Sequence, residues 1–186
     1  MEQKTSSQRG KYIVFEGGEH TGKSTQVKIL SERLGAVATR EPGGTGVGSR
    51  IRALLLDPGV TTEPSTEVFL FAADRAQHIA EVVQPTLESG VSVVSDRSWI
   101  SSAAYQARGD ITIDFVRTVN ELAIGNYMQA DLVILLDSDP QELVHRRIGL
   151  PDYFEQKDID FHNRVRENFL TISHEVGAHV IDAMQD

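Results

Sequence analysis

The chain has 186 residues and a mass of 20.5 kDa, with 40% hydrophobic and 24% charged residues; these proportions exclude disordered, collagen-like and low-complexity classes and predict one globular unit. Lys and Arg number 18 against 27 Asp and Glu, and the net charge of −9 excludes a broad surface for nucleic acid or anionic membrane, so any phosphate must bind in a local pocket. Cysteine is absent and the six histidines are scattered, which excludes a disulfide framework, a thiolate nucleophile and a structural zinc site.

Residues 1–9 are polar and carry no apolar stretch of a secretory signal, and no apolar run approaches the roughly 20 residues that cross a bilayer. A disordered polar leader and a cytoplasmic location are expected. Residues 11–16 are β-branched and aromatic and end at Gly17-Gly18, a buried strand running into a turn. Residues 23–34 show a helical face through Val27, Ile29, Leu30 and Leu34, with Gly35 as its stop. A short apolar strand at 36–39 leads into residues 40–46, where proline and glycines predict a loop. A long helical pattern covers 65–89, with Pro85 bending or dividing its last turns. A strand at 91–95, helices at 100–108 and 113–128, and a strand at 132–136 follow. Asp139-Pro140 reads as a cap and first helical position, 149–151 interrupts that helix, 157–175 resumes it, and 178–181 is a last strand. This alternation predicts an α/β fold: a central, mostly parallel five-stranded sheet flanked by helices in three layers, with a short lid at about 146–156.

Gly17-Gly18-Glu19-His20-Thr21-Gly22-Lys23-Ser24 fits the spacing G-x-x-x-x-G-K-[ST] between a strand and a helix. Glycines let backbone N–H groups converge on an anion, and the helix adds its positive N-terminal end. Lys23 is expected to reach the outer phosphates and Ser24 to offer its hydroxyl to Mg²⁺. Ligands in such sheets bind outside the carboxyl ends of the strands, which singles out Glu19, Arg40 and Asp96-Arg97. Asp96 suits positioning of Mg²⁺ through water, or a helix cap; Asp137 is its rival, although Asp137-Ser138-Asp139-Pro140 reads more naturally as turn and capping chemistry.

With these residues in place, the chain from about residue 11 onward resembles the thymidylate kinase family. Phe15 to Thr25 is similar to that family's phosphate loop, and Thr39-Arg40-Glu41-Pro42-Gly43-Gly44-Thr45 to its TREPGGT segment. Leu70-Phe71-Ala72-Ala73-Asp74-Arg75 resembles its LLFAADR helix; Asp96-Arg97 with Ser101, Tyr105 and Gln106 resembles its DRY…S…AYQ segment; Leu135 to Pro140 resembles its LDVDP turn. The resemblance implies a P-loop kinase domain over 10–186 that transfers the γ-phosphoryl group of ATP to dTMP with Mg²⁺, as a homodimer. By position, Gly17 to Thr25 would hold ATP phosphates, Glu19 would lie near the substrate sugar and phosphate, and Arg40 and Arg97 would grip the dTMP phosphate. Phe71 would stack on thymine or serve as ordinary core, Arg75 would reach the base edge, and Ser101, Tyr105 and Gln106 would complete the pocket. The phosphate loop carries no arginine, so Arg146 or Arg147 of the lid would supply the further catalytic charge. Ser98 stands where the family usually has an aromatic residue, and the lid is short. A kinase for another nucleoside monophosphate and a binding module without turnover are the competing readings.

Overall fold

The computed structural model describes residues 9–146 and 150–185. Five strands, β1 (Tyr12–Gly17), β2 (Val37–Arg40), β3 (Val93–Asp96), β4 (Leu132–Asp137) and β5 (His179–Asp182), form one sheet in the order β2-β3-β1-β4-β5. Every pairing is parallel, so the expectation of a mostly parallel sheet is met by a wholly parallel one among the described residues.

β1 is buried along its whole length because helices cover both faces. Tyr12 and Val14 point to one side, against Ile79, Val83 and Leu87. Ile13 and Phe15 point to the other, against Val27 of α1 (Lys23–Leu34). The largest cluster joins Val68 of α3 (Pro64–His78), Trp99, Ile100 and Ala103 of α5 (Trp99–Gln106), and Val165, Phe169 and Ile172 of α8 (Ile159–Val176). Each such large apolar side chain, fully buried, contributes about 1.5–3 kcal/mol.

The helical expectations hold in outline with three corrections, one of them that the helix expected over 113–128 ends at Ile124 before a tight turn at Gly125–Met128. The loop expected at 40–46 gives way at once to α2 (Gly46–Leu56), a helix the sequence reading missed because Gly46 and Gly48 sit in its first turn. Thr45 caps it by accepting from the Gly48 N–H, and a Cβ on Gly48 would lie 2.2 Å from Asp74 Oδ1, so the glycine is there to let α2 lie against α3. The pattern at 65–89 is three pieces: α3, a five-residue wide turn at Ile79–Val83, and α4 (Gln84–Glu88). Pro85 lacks an N–H and its ring crowds the preceding turn, and the widened turn just before it takes up the misfit.

The remaining helices are α6 (Ile113–Ile124) and a four-residue α7 (Pro140–Leu143), whose first turn is capped by Asp139 accepting from the Gln141 N–H at 2.8 Å. Register aligns the strand ends that matter: Arg40 pairs with Asp96, and Asp96 with Phe15, two residues before Gly17. A crevice therefore opens beyond the carboxyl end of β1, where the chain leaves the sheet in opposite directions.

Candidate active site

β1 ends at Gly17 with φ of 142°, and a Cβ there would stand 2.4 Å from the Leu136 carbonyl oxygen of β4, so only glycine lets the chain turn here. The loop then passes through a left-handed His20 (φ 60°) and Gly22 (φ 91°) into α1, whose first turn no side chain caps. Lys23 is 6% exposed, and its ammonium donates to the Gly18 carbonyl at 2.5 Å and to Thr21 Oγ1 at 3.4 Å. Burial, reinforced by the positive charge of Arg97, draws its pKa down to about 8. A lysine so enclosed is not the exposed residue of an ordinary glycine turn.

Ser24 Oγ donates to Asp96 Oδ2 at 2.5 Å. Asp96 does not cap α5; Ser98 does, accepting from the Ile100 N–H. Asp137 does not cap α7, which Asp139 does; both its carboxylate oxygens accept from Arg166 of α8 at 2.8 Å.

Arg97 adopts a left-handed backbone (φ 77°), with its N–H donating to the Phe15 carbonyl at 2.9 Å. That conformation turns the side chain back over the phosphate loop. Its guanidinium donates to the Gly17 carbonyl and Ser101 Oγ, both at 3.0 Å, and to Glu19 Oε1 at 2.8 Å, while the Tyr105 hydroxyl donates to the same Glu19 oxygen at 2.5 Å. Burial pushes the Glu19 carboxyl up, but Arg97, Lys23 and the Tyr105 hydroxyl outweigh it and hold it at about 2. Burial likewise opposes the Arg97 charge and is outweighed by Glu19, so this cation is strongly held.

Below them lies Glu16, fully buried, accepting from Ser98 Oγ and Ser101 Oγ at 2.6 Å each. Burial raises its carboxyl to about 6 against the two hydroxyl donors. The native chain therefore holds this proton more tightly than the unfolded chain. The stability linked to Glu16 is complete below the ordinary glutamate range near 4.5 and is lost as pH rises through about 6. Relative to wild type, Glu16→Gln is expected to gain on the order of 2 kcal/mol across that window and nothing further above it. Urea unfolding at pH 4.5, 5.5 and 7 checks this, and parallel curves for the two proteins would refute it.

A cleft of about 480 Å³ joins Lys23, Arg40, Asp96, Arg97 and Arg146. It also takes in Arg52 of α2, whose Nη1 donates to the Pro42 carbonyl at 3.1 Å. Burial and the charges of Arg40 and Arg97 pull the Arg52 pKa down, the mark of cations gathered around a place for an anion. The sequence reading missed Arg52 along with its helix; the signal was the cap at Thr45 followed by apolar positions Ile51 and Leu55.

A narrower cavity of about 70 Å³ continues from Arg97 and Arg52 past Phe71, Arg75, Tyr105 and Gln106. Phe71 belongs to the main core cluster and also lines this cavity. Arg75 is fully enclosed: Nε donates to Glu41 at 2.6 Å, Nη2 to the Ser98 carbonyl and Ser102 Oγ at 3.0 Å each, and Nη1 to Asn120. Four of its five N–H donors are thus engaged with protein, which leaves one among the described contacts. Gln106 donates to Glu67 at 3.2 Å, and its buried amide oxygen has no partner among the described residues.

Phe154, also missed in the sequence, lines this cavity from the segment expected to be a lid, with its ring 6.2 Å from that of Phe71. Of the two lid arginines, Arg146 lines the larger cleft and donates to the Ala183 carbonyl at 3.4 Å, whereas Arg147 lies outside the described residues, as do 1–8 of the leader.

The profile of the thymidylate kinase family matches residues 15–186. The chain is 42% identical over 174 residues to the thymidylate kinase of Deinococcus radiodurans, covering 89% of this chain and 84% of that one. It is 41% identical over 186 residues to the thymidylate kinase of Halothermothrix orenii, covering 94% and 89%, and 44% identical over 174 residues to that of Bifidobacterium longum, covering 88% and 84%.

Proposed function

The chain belongs to the thymidylate kinase family, whose members phosphorylate dTMP to dTDP with ATP, and from that premise we propose that residues 10–186 form one kinase domain that performs this transfer directly and in line. The observation that carries the reading is the continuity of the two cavities: the phosphate loop with Lys23 opens into the arginines, and the arginines open onto Phe71 and Gln106.

ATP lies with its phosphates on the Gly17–Thr25 loop, and Lys23 leaves the Gly18 carbonyl for the outer phosphate oxygens. Arg40, Arg52 and Arg97 hold the dTMP phosphate, where planar forks grip phosphate oxygens and do not titrate away. An acceptor oxygen forms the new bond to the γ-phosphorus as the bond to the bridging β–γ oxygen breaks, and ADP leaves with that electron pair. The acceptor is already an anion, so no strong general base is required; the protein's work is positioning and charge neutralisation. Glu19, kept ionised, orients Arg97 and Tyr105 and lies beside the sugar. Arg146, which lines the cleft, or Arg147 supplies charge at the transferring group. The hydroxyl of Ser24 and carboxylate of Asp96, 2.5 Å apart, are hard oxygen donors that suit Mg²⁺, and no cluster of three acidic, His or Cys ligands stands among the described residues to suggest a site made by protein alone. When bound, Mg²⁺ neutralises phosphate charge.

Gln106 presents its amide oxygen as an acceptor for the N3–H of a pyrimidine, and Arg75 its remaining N–H to a carbonyl. A homodimer is part of the reading: Phe69, 57% exposed, meets Phe115 edge-on at 6.3 Å, and Leu122 of α6 is 85% exposed. Soluble nucleotide substrates favour the cytoplasm, and no helix among the described residues is long and apolar enough to cross a membrane.

The test is ADP release in a coupled assay with ATP and Mg²⁺, offering dTMP, dUMP, UMP, CMP, AMP and dGMP in turn. Preference for dTMP is expected, with the enzyme sedimenting as two chains. Turnover favouring another acceptor would reject the base-pocket assignment, and none with any acceptor would reject the kinase.

A further inference from the structure

β2 runs extended through Arg40, and the Glu41 N–H continues its ladder by donating to the Asp96 carbonyl at 2.9 Å. Successive side chains of an extended chain alternate sides, so Thr39 and Glu41 face one way and Arg40 the other; Arg40 lines the cleft, and Glu41 borders both it and the narrower cavity. His78, at the last position of α3 and fully buried, lies along the first side. Its Nδ1 is 2.7 Å from Glu41 Oε1 and its Nε2 is 2.6 Å from Thr39 Oγ1. One imidazole therefore bridges the two residues that flank Arg40.

The bridge continues into the base pocket. Glu41 Oε2 accepts from Arg75 Nε at 2.6 Å, so the same carboxylate that meets His78 holds the arginine beneath Phe71. Burial pushes the Glu41 carboxyl up, but Arg75 and His78 outweigh it and keep it below its usual range. An ionised carboxylate can only accept, so Nδ1 carries a proton; in the neutral ring Nε2 then accepts from the Thr39 hydroxyl. The turn is fitted to this ring: a Cβ on Gly44 would lie 2.7 Å from His78 Cδ2 and 2.8 Å from the Arg40 carbonyl oxygen. His78 itself lines neither cavity.

We propose that His78 is a positioning residue for the acceptor nucleotide, which by bridging Thr39 and Glu41 sets the aim of Arg40 at the phosphate and of Arg75 at the base without touching either. This rests on the reading that the cleft takes dTMP. The side chains of the donor half are held elsewhere, Lys23 by the Gly18 carbonyl and Ser24 by the Asp96 carboxylate, and Asp96 meets the bridged segment through its backbone carbonyl. Loss of the bridge therefore weakens acceptor binding selectively.

His78→Phe keeps the ring and removes both polar contacts, His78→Asn puts an amide nitrogen near the place of Nδ1, and Thr39→Val removes only the outer hydroxyl. The KM for dTMP is expected to rise roughly tenfold or more in His78→Phe and about threefold in Thr39→Val, with kcat within about threefold and the KM for ATP within about twofold, the signature of lost uniform binding. His78→Asn is expected to recover most of the loss. The imidazole of the wild-type protein is expected to show a protonated Nδ1 and an accepting Nε2 in its ¹⁵N shifts, with the Nε2 shift moving in Thr39→Val. If His78→Phe does not fold, Thr39→Val carries the same readout. Equal rises in both KM values, or a fall in kcat with the dTMP KM unchanged, overturns the proposal while leaving the kinase intact; absence of dTMP turnover by the wild type overturns both.

Discussion

Arg97→Ala is expected to lower kcat/KM for dTMP by about 10³-fold or more, the scale on which an arginine acts on a transferring phosphoryl group. The loss has two parts. The fork that would hold the acceptor phosphate disappears, and Glu19, until then paired with Arg97 at 2.8 Å, keeps a negative charge facing the incoming anion. Arg97→Lys restores the charge but not the fork, and a point charge cannot serve Gly17, Ser101, Glu19 and a phosphate together. It is expected to recover only part of the activity, leaving a deficit of about 10–100-fold. Glu19→Gln in the Arg97→Ala background is expected to recover some further activity by removing the repelling charge. Steady-state kinetics on the wild type, Arg97→Ala, Arg97→Lys, Glu19→Gln and the double variant checks the set. Independent, additive effects of the two substitutions would contradict the coupling between Glu19 and Arg97.

Much of this site was legible because its residues sit where chain direction is forced. A glycine-rich turn after an apolar strand, an Arg after each of two further strands and an Asp beside one of them are visible without coordinates, because parallel strands bring their carboxyl ends to one edge. Arg40 and Asp96 are 56 positions apart and still pair in register. The sequence could not show what each group spends its hydrogen bonds on. Arg75 reads as a base-edge contact, yet four of its donors go to Glu41, Ser98, Ser102 and Asn120, partners on three other segments. Ser98 reads as a departure from an aromatic pattern, and in the fold its hydroxyl donates to Glu16 while capping α5.

Arg52 and Phe154 show the second kind of loss. Arg52 was hidden because glycines in the first turn of α2 argue locally against a helix, while tertiary contact with Asp74 is what requires Gly48. Phe154 lies in a lid segment with no regular period, and only its burial against Phe71 and Tyr105 marks it. Both enter the cavity from elements whose local pattern says nothing about the sheet edge they meet.

Lys23→Met is expected to abolish most turnover, by about 10³-fold or more, while leaving the folded state at least as stable as wild type. The lysine's buried ammonium is held by one carbonyl and one distant hydroxyl, and its lowered pKa, about 8, records that burial and Arg97 work against its charge. Methionine fills a similar shape without that cost, so the melting temperature without nucleotide is expected to hold or rise. Catalysis moves the other way, since Lys23 is the buried cation of the loop itself, placed where the outer phosphates are proposed to lie. The acceptor side keeps its hydrogen bonds, since Arg52 still donates to the Pro42 carbonyl and Arg97 to Gly17, Ser101 and Glu19, and calorimetric titration is expected to find dTMP affinity within a few-fold of wild type. A variant that loses turnover and stability together would mean that Lys23 serves the fold. A variant that keeps its turnover would remove the phosphate loop from the reaction.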